Sequence, residues 1–201
     1  MHRIILASQS PRRKELLSLI VDDFEVITAD VDERSIEEEV LKKHDDMTEA
    51  GKEMAVLLGK TKAKAVFGEL EEKDGVIVIG ADTCVVTKDE ILGKPEDRED
   101  AVRMLRKLSG APHYVITGVS LVSEEKTVSF YEESEVIFND MDGYQEELIK
   151  EYADTKEPYD KAGAYGIQGK GSLLIKKLNG DFYNVMGLPV SRLAKELRLF
   201  L

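Results

Sequence analysis

The 201-residue sequence contains a single cysteine, three histidines and no long apolar segment. Because Cys84 has no partner, no intramolecular disulfide can form, and a reducing compartment is expected. The histidines do not show the spacing of zinc ligands, which argues against a zinc site. No run approaches the roughly 18 to 20 apolar residues of a membrane-spanning helix, and the N-terminus lacks the pattern of a secretory signal. These absences predict a cytoplasmic protein without a membrane partner.

The charge balance is strongly acidic, because 40 Asp and Glu residues outnumber 28 Lys and Arg residues and leave a net charge of -12 at pH 7. Nucleic-acid binding needs a broad basic face, so we expect no nucleic-acid partner. A small anionic substrate would need a local group of cations, with or without a metal ion. No repeat or linker marks a boundary, and residues 1–201 are expected to form a single domain.

Hydrophobic periodicity predicts strands and helices that mix without strict alternation. The apolar run 76–80 is typical of a strand buried on both faces, and in this interpretation the strand ends at Asp82. Further strands are predicted at 3–7, 24–28, 113–122 and 127–138, and helices at 12–20, 50–70, 97–108, 142–152 and 190–200. Segments 173–178 and 182–186, joined by Asn179-Gly180, give the strongest hairpin pattern. The predicted fold class is α/β with a mixed, twisted sheet.

The first candidate site is the segment between the first strand and the first helix. Ser10 suits the N-cap of that helix and Pro11 its first position. Free N–H groups at the helix N-terminus, together with Ser8, Arg12 and Arg13, would form a cradle for a polyphosphate. The alternative is a simple N-cap followed by two solvated arginines.

Carboxylates at two separate places in the sequence are further candidates. Asp82 follows the most apolar strand, where a carboxylate is costly unless a metal, a cation or hydrogen bonds use it. Asp32 and Glu33 lie in a predicted acidic loop and could supply oxygen ligands to Mg²⁺ or Mn²⁺. The alternatives are an aspartate that caps a turn and a solvated loop. Cys84 is interpreted as a small buried residue rather than as a nucleophile.

Two further segments are candidates. Lys94 lies in a tight turn between Gly93 and Pro95 and could hold an ammonium against a phosphate oxygen, although an isolated turn lysine is more often solvated. Segment 159–169 is rich in glycine, which permits the backbone to approach a ligand closely. The alternative for that segment is a plain loop between a helix and a hairpin.

Five segments, in order and spacing, together resemble the Maf family. They are LASQSPRR at 6–13, GADT at 80–83, GKP at 93–95, KAGAYGIQG at 161–169 and YNVMGLP at 183–189. The resemblance extends over essentially the whole chain. The acidic stretch 37–46 matches no motif of the family and has no predicted role.

The resemblance implies an elongated, two-lobed α/β fold similar to that of inosine triphosphate pyrophosphatases, with a central cleft, and a homodimer in many members. It implies hydrolysis of a nucleoside triphosphate to the monophosphate and pyrophosphate with Mg²⁺ or Mn²⁺. The sequence GIQG is similar to the branch of the family that hydrolyses dTTP and UTP. One alternative is a nucleotide-binding regulator of septum formation with little turnover. Another is a phosphatase that removes the terminal phosphate.

The resemblance also implies roles for individual residues. Asp82 matches the catalytic base of the family and, with Glu33, the metal ligands; whether Asp82 accepts the proton or chiefly holds the metal stays open. The Gln168 amide, with one donor and one acceptor, is complementary to N3–H and O4 of uracil or thymine. The residues implied to bind substrate are Ser8, Arg12, Arg13, Lys62, Thr83, Lys94 and Gln168.

Overall fold

The computed structural model describes residues 2–201, and within them seven strands form a single sheet. The strands are β1 (Arg3–Leu6), β2 (Glu25–Val26), β3 (Val76–Val86), β4 (Ile91–Leu92), β5 (Pro112–Val122), β6 (Thr127–Phe138) and β7 (Ile175–Asn179). They are hydrogen-bonded in the order β2-β1-β3-β5-β6-β7, and β4 also pairs with β3. β1 runs parallel to β2 and β3, whereas the remaining pairs are antiparallel. The predicted α/β class with a mixed sheet is confirmed.

Helices cover both faces of this sheet. They are α1 (Pro11–Leu17), α2 (Glu33–Lys43), α3 (Met47–Glu69), α4 (Arg98–Leu108), α5 (Gly143–Ala153), α6 (Phe182–Met186) and α7 (Val190–Leu197), with short 3₁₀ turns between α5 and β7. None of the helices within residues 2–201 combines the length and the apolar character needed to cross a bilayer.

The first and third strands are buried on both faces, as the apolar run predicts. Along β1, Ile4 and Leu6 pack with α1 and α7 on one face, whereas Ile5 packs with α3 on the other. Along β3, Ile77 and Ile79 join the first group and Val78 joins the second. Since neighbouring side chains of a strand point to opposite faces, the centre of the sheet contributes to two cores at once.

Helix α3 lies unusually close to the sheet because glycines occupy the contact points. A Cβ on Gly80 would lie 2.2 Å from the carbonyl oxygen of Gly59, and one on Gly118 would lie 2.2 Å from the carbonyl carbon of Ala55. Such distances leave no room for any side chain. Lys62 follows Gly59 by three residues on α3. The close approach of the helix brings its side chain to Asp82, two residues after Gly80 on β3.

One edge of β3 changes partner along its length. Its first part, Val76 to Ile79, pairs with β1, and Val85 and Val86 pair with β4. The opposite edge pairs continuously with β5 from Val78 to Val86. The intervening residues, 80–84, therefore face a gap between β1 and β4, and a cleft opens at this gap.

The predicted hairpin at 173–186 is wrong in its second half. Residues Phe182–Met186 form helix α6, and β7 pairs instead with β6. Asp181 caps the helix by accepting a hydrogen bond from the backbone N–H of Tyr183, and Gly187, at φ +110°, ends it. These caps outweigh the turn propensity of Asn179-Gly180.

Three other differences from the prediction affect residues at or next to the cleft. The acidic loop is the start of helix α2, because Asp32 accepts from the backbone N–H of Ser35 and Glu33 is the first helical residue. Strand β3 continues without a break to Val86, so Asp82 lies within the strand rather than at its end. The predicted strand 24–28 is reduced to two residues, Glu25–Val26.

Candidate active site

A cleft of about 1400 Å³ opens at the gap between β1 and β4. It exceeds the roughly 300 to 1000 Å³ of a typical small-ligand site and can therefore contain a nucleotide-sized molecule. All nine residues for which the sequence implies a role line this one cleft. They are Ser8, Arg12, Arg13, Glu33, Lys62, Asp82, Thr83, Lys94 and Gln168.

The side chains of two neighbouring residues of β3 point to opposite sides of the cleft, because successive side chains of a strand alternate between its two faces. Asp82 shares a face with Gly80 and points towards α3, where its Oδ1 lies 2.6 Å from Nζ of Lys62. Thr83 points to the other face, where its Oγ1 accepts a hydrogen bond of 2.9 Å from Nη2 of Arg13. The adjacent pair Asp82-Thr83 thus links an acidic group of side chains to a basic one.

The acidic side is a group of three carboxylates around one ammonium. Nζ of Lys62 contacts Asp82 at 2.6 Å and Glu33 at 3.0 Å, and the side chains of Lys62 and Asp82 are only 18% and 16% exposed. Burial, followed by the negative charges of Asp82 and Glu33, raises the pKa of Glu37, whereas Lys62 opposes that shift. The lysine therefore does not neutralise the group, and this point of the cleft favours a further cation.

The donor set fits a divalent metal ion such as Mg²⁺ or Mn²⁺. Carboxylate oxygens are the ligands these ions prefer, and Mg²⁺ is commonly held by one or two carboxylates together with substrate phosphates. Within residues 2–201, no three His, Cys, Asp or Glu side chains are arranged as a ready-made metal site. Asp82 and Glu33 could hold such an ion only with ligands from a bound molecule or from water.

The basic side is centred on Arg13, whose guanidinium is held at three points. Nε donates to the carbonyl of Gly187 at 2.9 Å, Nη1 to Oγ of Ser8 at 3.3 Å and Nη2 to Oγ1 of Thr83 at 2.9 Å. Burial lowers the pKa of Arg13, and the negative charge of Asp82 opposes the shift. An arginine remains protonated in such a setting, so a fixed positive charge faces the cleft.

Helix α1 presents Arg13 but has only seven residues. Ser10 caps it as predicted, since its Oγ accepts from the backbone N–H of Arg13 at 3.4 Å, and Pro11 is the first helical residue. The cationic character of this side therefore comes mainly from the arginine side chains. Arg12 is held differently from Arg13, because its Nη2 lies 3.3 Å from Asp160.

The glycine-rich segment forms a further wall of the cleft and contacts α1 through the Asp160–Arg12 ion pair. Its backbone takes two consecutive left-handed conformations, at Gly163 with φ +68° and at Ala164 with φ +61°. The backbone N–H of Gly163 donates to the carbonyl of Gly93 at 3.0 Å, which ties this segment to the turn that carries Lys94. Gln168 follows as an exposed residue that lines the cleft.

Tyr165 of the same segment connects the cleft to a buried histidine. Its hydroxyl lies 2.8 Å from Nε2 of His113, and both residues pack edge-on against Phe138. Burial lowers the pKa of His113 to about 4 from its ordinary value of 6.5. The neutral imidazole is therefore the form that stabilises this wall.

The depressed pKa of His113 predicts a stability that falls as the solution becomes acidic. The unfolded chain takes up a proton below pH 6.5 whereas the folded chain does so only near pH 4, so stability is complete above pH 6.5 and is lost as the pH falls towards 4. Between pH 7 and pH 5 the free energy of unfolding should fall by about 2 kcal/mol more than in a His113→Gln variant. Urea unfolding of both proteins at the two pH values measures this difference; equal losses would contradict it.

The cleft also contains charged residues to which the sequence assigned no individual role, although Asp160 and Lys161 belong to the glycine-rich segment 159–169. Glu37 lies one helical turn after Glu33, in a stretch without a recognisable motif. Asp160 pairs with Arg12, and Nζ of Lys161 lies 2.7 Å from Asp160. The four-residue spacing of the two glutamates is the one sequence signal for Glu37. This spacing places both side chains on one face if the segment is a helix, but not if it is the predicted loop.

Cys84 lines the cleft but is buried against α3, with Sγ 3.5 Å from the carbonyl of Gly51. Burial raises the pKa of its thiol. A thiol that stays protonated is a poor nucleophile, in agreement with its interpretation as a small buried residue.

Comparison with known proteins places this cleft in a wider context. Three relatives named dTTP/UTP pyrophosphatase align over the whole of this chain and over 96% of their own sequences. The one from Bacillus cereus is 45% identical, the one from Bacillus mycoides 46% and the one from Bacillus cytotoxicus 47%. Among solved structures, the Ham1 protein of Staphylococcus aureus matches over 98% of each chain with a TM-score of 0.48 and 17% identity. The family described as Maf-like protein matches residues 3–200. On this match and these identities, the chain belongs to the Maf family.

Proposed function

We propose that the protein is a nucleoside triphosphate pyrophosphatase that hydrolyses dTTP and UTP to the monophosphate and pyrophosphate. The observation that carries the proposal is the pairing, on adjacent residues of β3, of a carboxylate held by Lys62 with a threonine bonded to Arg13. In this proposal, water activation by Asp82 and phosphate binding by Arg13 take place side by side. Membership of the Maf family and the names of the relatives support the same activity.

The charge of the cleft supports a requirement for a divalent metal ion. Among residues 2–201, seven carboxylates and five cationic side chains line it, which leaves two net negative charges. A nucleoside triphosphate brings roughly four more, so its binding needs added positive charge. Asp82 and Glu33 would hold Mg²⁺ or Mn²⁺, which when bound supplies positive charge to the phosphate oxygens.

The protein side chains have separable roles in the proposed reaction. Asp82 serves the water that attacks the α-phosphorus, and Lys62 keeps the Asp82 carboxylate in place. Arg13 and Ser8 bind phosphate oxygens on the other face of β3, and Arg12 and Lys94 add positive charge for the leaving pyrophosphate. Because both groups are fixed by one strand, the water and the phosphorus are oriented relative to each other.

Gln168 is proposed to select uracil or thymine. It is exposed at the cleft and follows the rigid segment at 162–164, so its amide can meet the edge of a base. The amide N–H would donate to O4 and the amide oxygen would accept from N3–H. In this proposal Thr83 and Arg12 also contribute to the choice of nucleotide, because they line the same cleft as the residues that bind the phosphates.

Gln168→Glu tests this selection. A carboxylate keeps the size of the side chain but cannot donate to O4, so kcat/KM for dTTP and UTP should fall roughly tenfold to a hundredfold. Cytosine has a donor amine at position 4 and an acceptor at N3. The ratio of kcat/KM for dTTP or UTP to kcat/KM for CTP should therefore fall. Steady-state kinetics on the three nucleotides measure both effects.

The matched control is Gln9→Glu, which adds the same charge to the same cleft at a residue hydrogen-bonded to Thr28. It should change the kinetics of all three nucleotides by one common factor. A common factor for Gln168→Glu as well would mean that Gln168 supports the loop and does not read the base.

A nucleotide panel tests the proposed function itself. The purified protein is incubated with dTTP, UTP, CTP, dATP and GTP, with Mg²⁺, with Mn²⁺ or with a chelator, and the products are identified. The proposal expects pyrophosphate and monophosphate from dTTP and UTP with metal and not with the chelator. Nucleotide binding without turnover would favour a regulator, and diphosphate with orthophosphate would favour a phosphatase.

A further inference from the structure

A chain of hydroxyl groups connects Arg13 to the core of the protein. Nη2 of Arg13 donates to Oγ1 of Thr83 at 2.9 Å, and that oxygen lies 3.0 Å from Oγ1 of Thr117. Oγ1 of Thr117 donates to the main-chain carbonyl of Asn184 at 3.0 Å. Thr117 is completely buried on β5, directly opposite Thr83 in the sheet register.

The direction of every hydrogen bond in this chain is fixed. A hydroxyl carries one proton, and a carbonyl can only accept, so the proton of Thr117 goes to Asn184. The oxygen of Thr117 must then accept the proton of Thr83. The oxygen of Thr83 in turn accepts from the guanidinium, which has no acceptor of its own. All the protons therefore point away from the cleft.

This direction limits what Thr83 can do. Its only proton is used inside the protein, so the hydroxyl cannot donate to a base, sugar or phosphate while the chain is intact. One of the two lone pairs of its oxygen accepts from Arg13, so the hydroxyl can meet a ligand only as an acceptor. Apart from that remaining lone pair, the side chain of Thr83 influences a ligand through the orientation of Arg13.

Asn184, the last acceptor in this series of hydrogen bonds, is itself held by further hydrogen bonds. Nδ2 of the buried Asn184 donates to the carbonyl of Val115 at 2.9 Å and to Oγ of Ser134 at 2.9 Å. Asn184 lies in α6, and Gly187, which ends α6, accepts the Nε–H of Arg13. Helix α6 therefore supports the guanidinium both directly and through the two threonines.

We propose that Thr117 is a positioning residue that, through Thr83, fixes the orientation of the Arg13 guanidinium towards the substrate phosphates. The inference rests on the proposed function only in the identity of that substrate. Thr117 is completely buried beside Thr83 on the neighbouring strand and does not line the cleft.

Thr117→Val and Thr117→Ser separate positioning from packing. Valine removes the hydroxyl, which leaves the Thr83 proton without its acceptor, and kcat/KM for dTTP should fall roughly three- to tenfold. Serine keeps the hydroxyl and should restore kcat/KM to within about twofold. Ser120→Ala, which removes another buried hydroxyl of β5, bonded to Ser129, is the matched control and should leave kcat/KM unchanged.

A double-mutant cycle provides the decisive comparison. If Thr117 acts through Arg13, Thr117→Val should cause no further loss in an Arg13→Ala background, where the guanidinium is already absent. The same loss in both backgrounds would overturn the proposal, since Thr117 would then act by another route.

Side-chain NMR of the ¹⁵N-labelled arginines tests the positioning without any turnover. In the parent protein, Nη1 and Nη2 of Arg13 should give separate signals because hydrogen bonds at both atoms hinder rotation of the guanidinium. In Thr117→Val, or in Thr83→Val should the first variant not fold, these signals should merge. Unchanged signals would overturn the proposal. A parent protein that releases no pyrophosphate would instead overturn the proposed function and leave this test intact.

Discussion

Asp82→Asn is expected to lower kcat for dTTP at least about a hundredfold while the protein stays folded. The substitution preserves size and removes only the charge that serves the attacking water, and a side chain acting as a general base typically contributes a factor of about 10² to 10⁴. Lys62 retains a partner in Glu33 at 3.0 Å, so no buried ammonium is left alone. Steady-state kinetics, together with a thermal unfolding curve, measure both parts of the expectation.

Asp89→Asn is the matched control for this experiment. Asp89 is also paired with a lysine, Lys107, at 3.1 Å, but it lies outside the lining of the cleft. The control should keep the parent kcat. If Asp82→Asn also hydrolysed dTTP at close to the parent rate, Asp82 would have a structural role and the proposed mechanism would be wrong.

Arg13→Ala is expected to lower kcat/KM about a hundredfold to a thousandfold. The variant removes a charge that three acceptors hold in position, and loss of one pre-oriented donor to a transition state typically has an effect of this size. Arg13→Lys should recover little, because an ammonium cannot occupy three acceptors in the geometry of a guanidinium. Arg12→Ala should act mainly on KM, since in the described part of the chain the Arg12 guanidinium has one side-chain partner, Asp160.

Arg192→Ala controls for the loss of an arginine as such. Arg192 is paired with Glu196 and Glu132 outside the lining of the cleft, so its removal should leave kcat/KM unchanged. Unchanged kinetics for both Arg12→Ala and Arg13→Ala would remove this end of α1 from the phosphate site.

Much of this architecture was predictable because its signals are local. The apolar run at 76–80 indicated a doubly buried strand, and Ser10 with Pro11 marked the start of α1, as the structure shows. Seven of the nine cleft residues lie in the motifs that carry the family resemblance, and the other two, Glu33 and Lys62, are implied by the resemblance from outside those motifs. Their roles in catalysis and binding stay predictions until the variants are measured.

Other features depend on contacts that a sequence pattern does not contain. The Phe182–Met186 segment follows a strong turn signal, yet its helix is fixed by Asp181, by Gly187 and by the burial of Asn184 in a hydrogen-bond network. Glu37 belongs to an acidic stretch that looks like a solvated surface. It reaches the cleft only because α2 packs on α3 through Val40.

The strand position of Asp82 shows the same limit. The sequence placed it at the end of a strand, where polar groups are commonly found in α/β folds. In the structure β3 continues to Val86, and the space beside Asp82 exists because β1 ends opposite Ile79. The length of a neighbouring strand, set far away in the sequence, thus determines where the cleft opens.

Hydrolysis of dTTP in ¹⁸O-labelled water, followed by mass spectrometry of both products, tests the central claim most directly. If the cleft directs water to the α-phosphorus, the products are dTMP carrying one ¹⁸O and unlabelled pyrophosphate, and Asp82→Asn forms neither at a comparable rate. Label in the pyrophosphate would place the attack at the β-phosphorus. Formation of dTDP and orthophosphate would contradict a pyrophosphatase altogether.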